Sequence, residues 1–191
     1  MVAIQDYKWG LTQEYLRSLM RYDPETGHFI RIIGRKGVAA GTLAGSPSTN
    51  GYVTISILVN GKQRRFRAHR LAWFYMTGDW PPIDVEHRDT IRTNNWWSNL
   101  RLATRSQNLQ NMSPRGGSSI FKGVCYDKRR NNYQAYVGTG KKRIRLGRFV
   151  NEEDAARAYD AKALEVYGEF ARLNFPQQPE ELSIEEMGWR P

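Results

Sequence analysis

The sequence predicts an α+β protein assembled from two small domains. Two observations predict it: short strand-like runs bounded by turn signals outnumber the helical stretches between them, and a polar segment, Ser113 to Ser119, separates two halves of different character. A chain of 191 residues with 40% apolar and 12% aromatic residues holds enough material for two modest cores. The expected boundaries are 1–112 for the first domain, 113–119 for a linker, 120–176 for the second domain and 177–191 for a C-terminal tail, onto which Trp189 can dock.

Leu11, Tyr15, Leu16, Leu19 and Met20 recur at helical spacing and predict a short amphipathic helix. The run Tyr22-Asp23-Pro24-Glu25-Thr26-Gly27 ends it, because proline presets φ at the start of a turn and glycine accepts positive φ at its close. His28, Phe29, Ile30 and Ile32 begin a strand, and the glycine-rich segment Gly34 to Gly45 reads as an exposed loop in which Lys36 is solvated or bound to phosphate. Tyr52 to Val59 alternates as a strand, Asn60-Gly61 signals a tight hairpin, and Lys62 to Ala68 returns. Arg64 and Arg67 on that return strand are candidate phosphate contacts. His69 to Met76 reads as a mostly buried helix stopped by Gly78 and Pro81-Pro82, with His69 a structural histidine at its start.

The most informative stretch follows. Ile83 to Val85 ends a strand, Leu100, Leu102 and Ala103 form a short return, and Thr104 with Gln107 makes a capping box that places Asn108 in a first helical turn. Between them lie Glu86-His87, Asn94-Asn95 and Asn99. A carboxylate beside a histidine, with amides at increasing distance, suits a one-metal hydrolytic site assembled from two strands and a helix.

Beyond the linker, Phe121 to Tyr126, Asn132 to Gly138 and Arg143 to Phe149 read as three strands. Asn151 then caps a helix whose first turn is acidic and which runs to Gly168. Ten Lys or Arg and a single acid, Asp127, lie between Arg115 and Arg148, so the positive charge belongs to the sheet. With Tyr126, Tyr133 and Tyr136 interleaved, such a sheet suits a DNA groove. The net charge of +10 and the pI near 9.9 also point to a polyanionic partner. One cysteine, Cys125, excludes an internal disulfide and a cysteine-based zinc cluster. The first six residues lack a signal-like pattern and no stretch approaches a membrane span, so the expected location is cytoplasmic with no membrane partner.

Both halves resemble known families. Tyr22 to Gly27, Ala68-His69-Arg70-Leu71-Ala72-Trp73, Val85-Glu86-His87, Asn94-Asn95, Ser98-Asn99-Leu100-Arg101 and Gln107 to Asn111 resemble the HNH endonucleases of phage genomes, many of them homing endonucleases. Gly123-Val124, Leu146-Gly147-Arg148-Phe149, Glu153 to Ala156, Ala158-Tyr159-Asp160, Gly168-Glu169-Phe170 and Leu173-Asn174-Phe175 resemble the AP2 DNA-binding domain. The resemblance implies an HNH ββα-metal nuclease domain followed by an AP2-like three-stranded antiparallel sheet with one helix.

It further implies that His87 is the general base, that Asn99 orients its ring, and that Glu86 and Asn108 hold a divalent ion, Mg2+ foremost and Mn2+ as the alternative. A neutral imidazole accepts a proton near neutral pH, and a hard cation takes carboxylate and amide oxygens. From the second half, Lys122, Tyr126, Arg129, Arg130, Tyr133, Arg143 and Arg145 are the candidate DNA contacts. The implied partner is double-stranded DNA rather than structured RNA, with no protein partner beyond a second copy: a monomer nicks, and a double-strand break takes a dimer or two events. The family usually has aspartate where this chain has Glu86. Two functions therefore stay open, a DNA endonuclease and a DNA-binding regulator with an impaired nuclease site.

Overall fold

The computed structural model describes residues 10–34, 37–112, 116–140 and 142–176. Lys36, the start of the expected linker, the N-terminal residues read for targeting and the tail with Trp189 lie outside the described residues. The chain divides into two compact units, residues 1–109 and 110–191. No described helix is long and apolar enough to cross a membrane.

In the first unit, helix α1 (Gln13–Leu19) is capped by Thr12, whose hydroxyl accepts from the Tyr15 N–H. Strand β1 (Met20–Tyr22) pairs antiparallel with β2 (Phe29–Arg31) across the Asp-Pro-Glu-Thr-Gly turn. The predicted helix therefore ends one residue early, with Met20 opening the strand. Strand β3 (Ser46–Pro47) edges a sheet completed by β4 (Val53–Val59) and β5 (Lys62–Arg67). Asn60 and Gly61 both take positive φ, 49° and 72°, as a tight two-residue hairpin turn requires.

Helix α2 (Ala68–Thr77) follows β5 without a break and ends on left-handed Gly78. One apolar core joins these elements. Leu11, Leu16, Phe29, Ile55, Leu71 and Phe74 are all buried in it, each worth roughly 1.5–3 kcal/mol. Trp80 stacks on Phe74 at 4.5 Å between ring centroids and packs, partly buried, against that core. The last section is a strand, strand, helix motif: β6 (Asp84–His87), β7 (Leu100–Ala103) antiparallel to it, and α3 (Arg105–Asn111). The Thr104 N–H donates to Gln107 Oε1 at 2.8 Å and the Gln107 N–H donates to Thr104 Oγ1 at 3.3 Å, the two halves of the predicted capping box.

In the second unit, β8 (Val124–Asp127), β9 (Asn132–Thr139) and β10 (Lys142–Phe149) form one antiparallel sheet with β9 central. Helix α4 (Glu152–Tyr167) covers one face, packing Tyr159 and Ala163 against Val137. Asp160 ties the following segment to that helix by accepting the Asn174 and Phe175 N–H groups, each at 2.8 Å.

Candidate active site and nucleic-acid interface

His87 ends β6 and is buried. Its Nε2 lies 3.0 Å from Asn95 Oδ1, and Asn95 Nδ2 donates to the Thr93 carbonyl at 3.0 Å. The second bond fixes which end of the carboxamide faces the imidazole. An oxygen accepts there, so Nε2 carries the ring proton and the lone pair sits on Nδ1. Burial pushes the His87 pKa below its ordinary value, against the Asn95 bond, which raises it. The imidazole is therefore neutral at pH 7.

Asn95 is held from below by the turn that the sequence marked early. The Tyr22 hydroxyl donates to the Asn95 carbonyl at 2.6 Å, and the Trp97 N–H donates to the Pro24 carbonyl at 2.8 Å. Gly27, at φ +72°, lies directly beneath: a Cβ there would fall 2.2 Å from the Asn95 carbonyl carbon. The orienting contact to His87 thus comes from Asn95, where the resemblance implied Asn99. Asn99 is buried too, but its carboxamide braces the loop, accepting the Asp89 N–H at 3.1 Å and donating to the Asn94 carbonyl at 2.7 Å. Both asparagines stand in the quoted motifs, and which of them reaches the ring depends on the path of the loop.

Glu86 stands opposite Arg101 in the β6–β7 register, and both are buried. Arg101 Nε and Nη2 each reach Glu86 Oε1 at 2.6 Å. Asn108 is half-buried in the first turn of α3, where its N–H donates to the Thr104 carbonyl, and its carboxamide makes no hydrogen bond among the described residues. No group of three or more His, Cys, Asp or Glu converges among the described residues. One carboxylate and one carboxamide are nevertheless the oxygen donors a hard divalent ion takes when water and substrate phosphate complete its shell.

His69, read from sequence as a structural residue, packs edge-on against His87 at 4.9 Å between ring centroids and 73° between planes. It is 2% exposed, and its Nδ1 has no hydrogen-bond partner. Burial, reinforced by His87, Arg67 and Arg70, drives its pKa down to about 2. Tyr52 packs against both imidazoles, at 5.1 and 6.0 Å.

The predicted basic contacts divide by face. Arg64 lies opposite Ile57 and is half-buried on the core side of the hairpin, whereas Arg67 lies opposite Thr54 on the outer side and is exposed. In the second unit, Tyr126 and Tyr133 pair with each other in the parity of Ala135 and Val137, the face that α4 covers, so they do not stand on the open face. Their rings are 5.0 Å apart. The open face instead carries Gln134 and Tyr136 with Arg143 and Arg145, which lie opposite Gly138 and Tyr136.

That face is pre-ordered. Gln134 Nε2 donates to Asp127 Oδ2 at 2.7 Å, the Tyr136 hydroxyl donates to Gln134 Oε1, and the Arg143 guanidinium sits 5.0 Å from the Tyr136 ring centroid. Arg148, which the sequence reading left out, shares the face opposite Gln134 beyond a bulge between Arg145 and Gly147. Arg129 and Arg130 are exposed in the β8–β9 turn, Arg130 within 3.4 Å of Asp127. Lys122 is engaged internally: its Nζ donates to the Gln110 and Met112 carbonyls, and burial lowers its pKa to about 8.

Comparison with known proteins places the first unit's motif. Residues 66–110 match the family described as HNH endonuclease. An uncharacterised HNH endonuclease of Acanthamoeba polyphaga mimivirus is 38% identical over 112 residues, 58% of this chain and 58% of its own length. The DNA endonuclease I-HmuI of Bacillus phage SP01 is 32% identical over 83 residues, 43% of this chain and 48% of its own. An AP2-like ethylene-responsive transcription factor of Arabidopsis thaliana is 41% identical over 61 residues, 31% of this chain and 12% of its own. The chain therefore spans about half the length of the two nucleases it matches. The segment from Phe66 to Gln110 that is similar to HNH endonucleases is the one that contains the strand, strand, helix motif with Glu86, His87, Asn95 and Asn108.

Proposed function

We propose that the protein is a metal-dependent DNA endonuclease that hydrolyses phosphodiester bonds, with the first unit cutting and the second holding the target. The observation that carries this reading is His87: a buried imidazole, neutral and fixed in one tautomer by Asn95, inside the segment that matches the nuclease family. Its Nδ1 lone pair takes a proton from water as the water oxygen attacks phosphorus. Glu86 and Asn108 would hold a divalent ion, which supplies Lewis-acid stabilisation of the developing phosphate charge and of the leaving alkoxide. His69 keeps water from one side of the His87 ring. Three antiparallel strands with an open arginine face, together with the similarity to AP2-like factors, support assigning duplex binding to the second unit.

Supercoiled plasmid incubated with the protein and Mg2+ or Mn2+ tests this. Nicked circles are expected, with His87→Ala slower by at least about a hundredfold. Plasmid left intact on every target, with His87→Ala indistinguishable from the wild type, refutes the enzyme reading.

One observation favours a second reading. The Glu86–Arg101 ion pair places a guanidinium on the carboxylate that the ion would use, as befits a DNA-binding regulator whose nuclease site is silent. Cleavage by Glu86→Asp alone supports the regulator, and cleavage by both proteins rejects it.

A further inference from the structure

Beside His87 lies a group of side chains to which neither the resemblance nor the family match gives a role, although the sequence marks one of them, Arg67, as a candidate phosphate contact. Tyr52 precedes β4, Arg67 closes β5, and Arg92 sits in the loop between β6 and β7. The Arg67 guanidinium carbon is 4.6 Å from the Tyr52 ring centroid and that of Arg92 is 4.9 Å from the same centroid. Two cations are thus no farther apart than those two distances laid end to end. Neither has a carboxylate within ion-pair reach among the described residues, and both are exposed.

Like charges gathered on one ring without an anion repel each other, so the fold must hold them there. Arg92 is anchored by Nη1 donating to the Asn50 carbonyl at 2.7 Å, and Arg67 is fixed as the last residue before α2. The ring offers its negative face to both. It is the ring that matters, because the Tyr52 hydroxyl makes no hydrogen bond among the described residues. The same ring packs 6.0 Å from His87, between centroids, so the two positive groups rest on a side chain that touches the proposed general base.

We propose that Arg67 and Arg92, held on Tyr52, form a clamp for the phosphodiester that is cut. Guanidinium N–H groups take the non-bridging oxygens and hold phosphorus within reach of the water that His87 activates. Tyr52 is the positioning residue. The clamp rests on the nuclease reading for its role in cleavage, but not for its ability to bind phosphate.

The test is to compare wild-type protein with Arg67→Gln, Arg92→Gln, Tyr52→Leu and Tyr52→Phe in two measurements. These are single-turnover plasmid nicking and the salt dependence of duplex affinity by fluorescence anisotropy. Each Arg→Gln variant is expected to nick about a hundredfold more slowly, the order lost with one preorganised charge-stabilising donor. Its log–log salt slope should fall by about 0.9, one phosphate contact. Tyr52→Leu should follow the arginine variants in rate and in salt slope, and Tyr52→Phe the wild type in both, which assigns the effect to the ring and not the hydroxyl. A salt slope left unchanged by Tyr52→Leu would mark its rate loss as one of packing alone. Wild-type rates in both arginine variants overturn the clamp. If the wild type cleaves nothing, the nuclease reading alone has failed, and the salt slope decides: a fall in both arginine variants retains a phosphate site, and an unchanged slope overturns it. Because both arginines are exposed, thermal melts should match the wild type; should one variant unfold, Arg→Lys at that position, which keeps the charge but not the flat stacking fork, is read in the same two measurements.

Discussion

His87 and Asn95 show how one hydrogen bond fixes a tautomer. With Asn95 pinned by Thr93, the Nε2–H tautomer is the one that fits the contact, and Nδ1 is the atom that the proposed mechanism uses as base. Replacing Asn95 with alanine frees the tautomer, so nicking should slow by roughly tenfold or more, whereas Asn99→Ala should act mainly through loop stability. Equal stability losses with an unchanged nicking rate for Asn95→Ala would refute the orienting role. His69 leaves a signature in stability. Its folded pKa of about 2 lies below the usual 6.5, so the unfolded chain binds the proton and the folded one does not. Stability is therefore full above pH 6.5 and is lost as pH falls from there toward 2, by up to about 1.4 kcal/mol per pH unit. Urea unfolding at pH 7.5, 6 and 5 should show this slope, and it should shrink in His69→Gln. An equal slope in the variant would assign the effect to other groups.

At the scale of elements, the β1–β2 turn is the platform on which the site loop rests. Tyr22, Pro24 and Gly27 all meet the segment Asn95 to Trp97, more than sixty residues away in sequence. Gly27→Ala combines positive φ with a Cβ 2.2 Å from backbone, and backbone cannot step aside as a flexible side chain can. A stability loss above about 1 kcal/mol is expected, together with slower nicking because Asn95 is displaced. Denaturant midpoints and nicking rates together check it; a destabilised variant that nicks at full rate would show that the turn supports the fold without setting the site. The β6–β7 ladder does a different job. It faces Glu86 with Arg101 in a buried register, where the two opposite charges meet as an ion pair.

On the scale of the whole molecule, the charge of +10 acts through particular faces. In the second unit the open face holds Arg143, Arg145 and Arg148, whereas Tyr126 and Tyr133 lie on the helix side and Lys122 is bound to carbonyls. Arg143→Gln and Arg145→Gln should each weaken duplex binding and lower the salt slope by about 0.9, while Tyr133→Leu should lower thermal stability and leave the slope unchanged. Anisotropy titrations across a salt series measure both. A slope that responds to Tyr133 and not to the arginines would place the DNA on the other face.

Much was legible in the sequence because local rules govern it. Hairpin Asn60-Gly61, the Thr104–Gln107 capping box, the three strands of the second unit and the acidic first turn of α4 each depend on residues a few positions apart. The adjacency of Glu86 and His87, and the HNH motif around them, were equally plain. What only the tertiary structure decided depends on contacts between distant segments. Asn95 rather than Asn99 meets His87 because the turn at Gly27 shapes its loop, and His69 reaches His87 because α2 packs beside β6. Tyr126 and Tyr133 face the helix because strand pairing fixes their parity. Sequence spacing sets which residues share a face of one strand or helix, but which face meets which neighbour is settled by burial of the common core.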